Sequence, residues 1–187
     1  MHPAIALESF DEDVSQDDFA ALTRDYDIVV AHRSDDVQPA RRVGLCVTEL
    51  MREPLDVALP LGHPLAGRES VTPADVIGDD WIGPPPGFPV DRVLTAMSVT
   101  AGIPVRVVRR TTHFPLTERL VAAGHGIALL PRHTTTQHAA GRFALVHLRA
   151  LRAGRFVEAL SRPDRAARRA VAVVLTELQA EAAAYAS

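Results

Sequence analysis

Apolar positions along the chain switch repeatedly between a period of two and a period near 3.6, the signature of strands alternating with helices. Ile5 and Leu7 alternate with small or polar neighbours and predict a short strand. Ser15 opens a capping-box-like Ser-x-x-Asp with Asp18, and Phe19 and Leu22 form one helical face behind it. The apolar run 26–31, from Tyr26 to Ala31, is that of a central strand covered on both faces. Two further strands are expected over 43–47 and 55–59, with Glu49 to Pro54 between them.

Thr72-Pro73-Ala74-Asp75 is a helix start, with a threonine cap, proline at the first helical position and an acid at the third. Trp81 and Ile82 predict a short strand that runs into the proline-rich loop from Gly83 to Pro89. Val90, Val93, Leu94, Met97 and Ala101 follow at helical spacing, and Gly102 is the expected stop. Val105 and Val107 predict a strand. Leu116, Leu120, Val121 and Ala123 then make a short helix ended by Gly124. Strands are expected over 127–130, 143–148 and 156–160, the first closed by Pro131. Ala167, Val171, Val174, Leu175 and Leu178 form the apolar stripe of a long terminal helix. The order is α/β throughout.

With 187 residues, 47% hydrophobic and 23% charged, the chain is an ordinary globular one of one domain or two small lobes. A fold of this size buries roughly 70% of its unfolded surface, a real core without disulfides. The single cysteine, Cys46, excludes a disulfide framework within the chain and any multi-cysteine zinc site, and within the apolar stretch 43–47 it reads as a small buried hydrophobe. No apolar run approaches the ~20 residues of a membrane span, and the acidic N-terminal stretch lacks signal-peptide features, so the chain reads as cytoplasmic. A net charge of −3 rules out nucleic-acid affinity from bulk charge. The acids of 8–18 and the arginines of 142–169 read as solvated faces, and no helix-turn-helix accompanies them.

Candidate chemistry is sparse. His133 and His138 are five residues apart, which is not a metal-ligating helical spacing, and His2, His32, His113, His125 and His147 are scattered singly. The pairs Asp35-Asp36 and Asp79-Asp80 read as solvated turns. No Gly-x-Ser-x-Gly elbow, Gly-x-Gly-x-x-Gly turn or Walker loop occurs. No metal or cofactor is expected, and no enzyme.

Three segments nevertheless carry a resemblance. Glu53-Pro54-Leu55-Asp56-Val57-Ala58-Leu59-Pro60-Leu61-Gly62-His63-Pro64-Leu65-Ala66 is similar to a crossover strand followed by a His-Pro-Leu-Ala turn. Leu120-Val121-Ala122-Ala123-Gly124-His125-Gly126-Ile127-Ala128-Leu129-Leu130-Pro131 is similar to a helix, Gly-x-Gly and strand unit. Arg24-Asp25-Tyr26-Asp27-Ile28-Val29-Val30 stands where a Gly-x-Leu-Asp-Leu strand entry is found. Together, in this order, they resemble the effector-binding domain of LysR-type transcriptional regulators, from about Pro3 to Leu178. Gly124 suits a helix end with positive φ, Gly126 a close backbone turn, and Pro64 holds His63 extended as a turn residue.

The resemblance implies a periplasmic-binding-protein-like (type II) α/β fold of two lobes joined by two crossover strands. Lobe I would comprise 1–56 and 151–187, and lobe II 57–150. A small organic anion effector would lie between the lobes, and the complete regulator would be a homodimer binding DNA through an N-terminal winged helix-turn-helix. That domain, its linker helix and the first strand and helix of lobe I lie outside this chain. A stand-alone small-molecule binding protein of the same fold is the alternative. Thr48 matches a position where family members present a hydroxyl to the effector. Gly83, Pro84 and Phe88 belong to a loop leading into a helix N-terminus, a natural anion receptor. Thr111, Thr112, His113 and Phe114 precede the next helix and should open on the same cleft.

Overall fold

Strand β2 (Cys46–Pro60) is the spine of the molecule, fifteen residues long and unbroken apart from a register shift between Glu49 and Met51. The computed structural model describes residues 5–12, 14, 15, 17–35, 37 and 43–185. His2, Pro3, Asp13 and Asp36, each touched by the sequence reading, lie outside them. Ahead of β2 come α1 (Phe19–Leu22) and β1 (Val29–Ser34). After it follow β3 (Ser70–Val71), α2 (Pro73–Val76), β4 (Asp80–Gly83), α3 (Pro89–Ala101), β5 (Arg106–Arg110), α4 (Phe114–Ala122) and β6 (Ile127–Pro131). The chain ends with α5 (Arg132–Ala139), β7 (Phe143–Leu148), β8 (Gly154–Ser161), α6 (Pro163–Ala166) and α7 (Arg169–Tyr185).

The strand order is β1-β8-β2-β6-β4-β5, with β7 also on β2 and β3 on β7. From Cys46 to Pro54, β2 pairs antiparallel with β8; from Leu55 onward it pairs with β6 and β7. Pro54, which has no N–H to give, stands where the partner changes. Gly154 opposes it, and a Cβ there would lie 2.7 Å from Arg52 Nη2 and 2.9 Å from Asp35 Oδ2, so a side chain at this position would displace the ends of that ion pair. Buried residues alternate along the spine. Val57 and Leu59 join a core with Trp81, Met97, Leu129 and Val146, whereas Ala58 joins Ile82, Val121, Leu130 and Phe143. Both faces of this half of the sheet are therefore covered.

Local punctuation matches the sequence signals on α2 and α3, whereas the N-cap of α1 is Asp18 rather than Ser15. Thr72 and Asp75 form a reciprocal capping box on α2. α3 ends at Gly102 in the left-handed conformation. Gly126 has φ +144°, and a Cβ would sit 2.7 Å from the Asp80 carbonyl oxygen on the neighbouring β4, a closer approach than any side chain allows.

Several expectations are corrected. Residues 26–31 do not form a central strand: β1 begins at Val29 and, among the described residues, pairs only with β8. Val29 and Ala31 pack on Phe19 and Leu160, but Val30 is 45% exposed, so the apolar run reflects one covered face. Ile5 and Leu7 form no strand, and Leu7 is 71% exposed. The strands expected over 43–47 and 55–59 are one, because Glu49 to Pro54 find their ladder on β8. Cys46 is exposed at the start of that strand rather than buried. Asp35 is no solvated turn: its side chain is buried and accepts from Arg52 Nη2 at 2.5 Å, with Arg152 3.3 Å away. Asp80 opens β4 and pairs with Arg106. Leu116 is exposed on α4, whose buried positions are Thr117, Glu118 and Val121. The polar helix α5 carried no apolar period to announce it, and in α7 only Val171 is buried.

Candidate functional site

The parallel strands β4 and β5 deliver two loops to the same place. β4 ends at Gly83 and opens the 83–88 loop, whereas β5 ends at Arg110 and opens 111–113. They are tied together: Thr111 N–H donates to the Gly83 carbonyl at 2.9 Å, and Arg110 Nη1 donates to the Pro84 carbonyl at 2.6 Å. His113 caps α4, its Nδ1 accepting from Leu116 N–H at 3.3 Å, while its own N–H donates to Thr111 Oγ1. Proline at the start of α3 and in the first turn of α4 presets the helical φ.

These loops line a cavity of about 1300 Å³. Gly83, Pro84, Phe88, Thr111, Thr112, His113 and Phe114 all stand on its wall. Thr48 is not among the lining residues; it lies on β2 opposite Ala159. The opposite wall comes from β1, from residues 5–12, and from Val171, Val174 and Leu178 of α7. Ligands of open α/β sheets gather outside the carboxyl ends of parallel strands, as this cavity does with respect to β4 and β5.

Two polar wall residues escaped the sequence reading. Arg155 of β8 lines the cavity, its guanidinium 5.2 Å from the centre of the Phe114 ring. Its Nε and Nη2 both donate to Glu53 Oε2, at 2.9 and 2.7 Å, and Thr134 Oγ1 donates to Glu53 Oε1. His32 of β1 lies nearby, and burial, together with the Arg155 charge, lowers its pKa to about 3. At neutral pH it is an uncharged imidazole. The outer wall is acidic, with Glu8, Asp11, Glu12, Asp25 and Asp27. Glu12 accepts from the Tyr26 hydroxyl at 2.9 Å and raises its pKa, and Asp27 is paired with Arg165 and Arg168. Among the described residues no group of three or more His, Cys, Asp or Glu is placed to hold a metal ion, and no helix is long and apolar enough to cross a membrane.

The fold is of the α/β type II periplasmic-binding-protein-like class, with a cavity at the strand ends. The sequence profile of the LysR substrate binding domain matches residues 1–183, and the chain belongs to that family. The regulatory domain of CcmR from Synechocystis PCC6803, solved in complex with 2-PG, superposes with a TM-score of 0.74 at 16% identity, covering 90% of this chain and 80% of that one. A reduced form of OxyR from N. meningitidis gives 0.69 at 15% identity, covering 90% and 77%. At such identities the likeness is one of fold. The Hca operon transcriptional activator HcaR of Escherichia coli (strain K12) is 31% identical over 85 residues, which is 44% of this chain and 29% of that relative. Family and fold are those of regulatory effector-binding domains rather than enzymes.

Proposed function

We propose that this chain is the effector-sensing part of a LysR-type regulator, taking a small organic anion into the cavity beside the 83–88 and 111–114 loops. The observation that carries the reading is the convergence of both loops, Arg155 and Phe114 on one cavity of about 1300 Å³. The CcmR regulatory domain was solved with 2-PG, which supports a small-molecule role for this fold. We assign 1–56 with 151–187 to one lobe and 57–150 to the other, consistent with the change of partner along β2 between Pro54 and Leu55. Ligand binding would shift the balance between lobe arrangements and so the assembly of the complete, homodimeric regulator. DNA contact belongs to a domain outside this chain, and the regulator is read as cytoplasmic.

The carboxylates on the outer wall favour a second reading, an amphoteric or cationic ligand whose positive end meets Glu8, Asp11 or Asp25. A stand-alone binding protein is the alternative at the level of the whole molecule. A calorimetric screen of aromatic and aliphatic carboxylates, amino acids and amines separates the ligand readings. A carboxylate is expected to bind, and to lose affinity by about tenfold on Thr112→Val or Phe114→Ala, a loss of roughly 1.4 kcal/mol. Binding by amines alone, or carboxylate affinity unchanged by both substitutions, would sink the anion assignment.

A further inference from the structure

One polar group on the cavity wall is not used by the fold. The His32 side chain lines the cavity; its Nδ1 is enclosed with no hydrogen-bond partner among the described residues, and Nε2, which has no bond there either, is the ring nitrogen that a ligand can meet. Native folds leave few such nitrogens unpaired, because each costs the free energy of a lost hydrogen bond. Phe19 meets the imidazole edge-on, centroids 6.1 Å apart and planes at 85°, which positions the ring without satisfying it.

Register places a second polar group beside it. His32 faces Val157 across the β1–β8 ladder and Ser34 faces Arg155, so Arg155 is the diagonal, same-face neighbour of His32. Both side chains line the cavity. Glu53 occupies Nε and Nη2 of Arg155, which leaves Nη1 without a partner among the described residues. A neutral imidazole has one donor and one acceptor nitrogen, and a hydroxyl can complement either. A guanidinium N–H can only donate, and a carboxylate oxygen accepts it.

We infer that His32 and Arg155 form a subsite for a hydroxylated carboxylate, the imidazole engaging the ligand hydroxyl and Arg155 Nη1 a carboxylate oxygen. The inference rests on the anion reading of the cavity and narrows it to a ligand class. With Glu53 already opposing the Arg155 charge, discrimination comes from the pair of hydrogen bonds rather than from net charge.

Titration calorimetry of the 187-residue chain with acids that differ by one hydroxyl tests the subsite: mandelate against phenylacetate, and lactate against propionate. The hydroxylated member of each pair is expected to bind roughly 2- to 12-fold more tightly, the range of one net hydrogen bond. His32→Phe keeps a ring against Phe19 and should bring that ratio to about one. His32→Gln, which retains a donor and an acceptor, should keep part of the ratio. Equal affinities within both pairs for the unsubstituted protein overturn the subsite whatever the variants do, as does a ratio that survives His32→Phe. Either result leaves the cavity reading standing if carboxylates bind. Failure of all four acids and of every carboxylate in the wider screen overturns both.

Discussion

Arg155 and Glu53 oppose each other directly on β8 and β2, and two guanidinium nitrogens close on one carboxylate oxygen, at 2.9 and 2.7 Å. The contact lies one residue ahead of Pro54, where β2 leaves β8 for β6 and β7. Asp35–Arg52 and the bidentate Asp56–Arg132 pair flank the same stretch. The buried carboxylates of Asp35, Glu53 and Asp56 at the change of partner penalise any slip of register, since a slip would separate each from its arginine.

Glu53→Gln leaves the Arg155 charge buried and poorly compensated, because Glu53 is fully enclosed. Urea unfolding should show a loss of about 3–5 kcal/mol. Replacing both members, Glu53→Leu with Arg155→Met, should recover much of that loss. A Glu53→Gln protein as stable as the parent would show that the pair contributes nothing.

His32 gives stability a signed pH dependence. Its folded pKa is lowered from 6.5 to about 3, so between those values the unfolded chain takes up a proton that the native one refuses. Stability from this group is full above 6.5 and falls as the pH drops toward 3, by up to about 1.4 kcal/mol per pH unit. Comparing urea midpoints of the parent and His32→Phe from pH 7.5 to 4.5 isolates the term: the parent should lose stability faster. Parallel curves would mean that the imidazole titrates normally.

Gly126→Ala should destabilise by about 1–3 kcal/mol or more, combining an unfavourable φ of +144° with a Cβ 2.7 Å from the Asp80 carbonyl. Thermal unfolding reads the loss. A midpoint within a degree of the parent would refute the close approach of β4 and β6 at that point.

Thr48→Val should leave carboxylate affinity within about twofold of the parent, under roughly 0.4 kcal/mol, because Thr48 stands outside the cavity wall. A tenfold loss in calorimetry would return Thr48 to the site.

Much of the cavity wall was legible because it is built from the ends of regular elements. The 83–88 loop and residues 111–114 follow strands and precede helices, and in parallel βα units such loops share one end of the sheet. His32 and Arg155 were not legible in the same way. Each reads alone as a scattered polar residue, and 123 positions of chain separate them. Only the β1–β8 register puts them on one face.

What this sequence determines by itself is whatever a few adjacent residues decide: the Thr72–Asp75 cap, the stop at Gly102, the alternation of strand and helix, and the motifs that place it in its family. Tertiary structure decided that β2 is a single fifteen-residue strand, that β1 pairs with β8 alone among the described residues, that α5 exists, and that Asp35 and Glu53 are buried ions. The physical reason is the range of the forces involved. Caps and torsional preferences act within one turn of chain, whereas a ladder partner or a buried counter-ion is supplied by residues about a hundred positions away. Glu49 to Pro54 have a strand to belong to, and Glu53 an ion to face, only once β8 lies beside them.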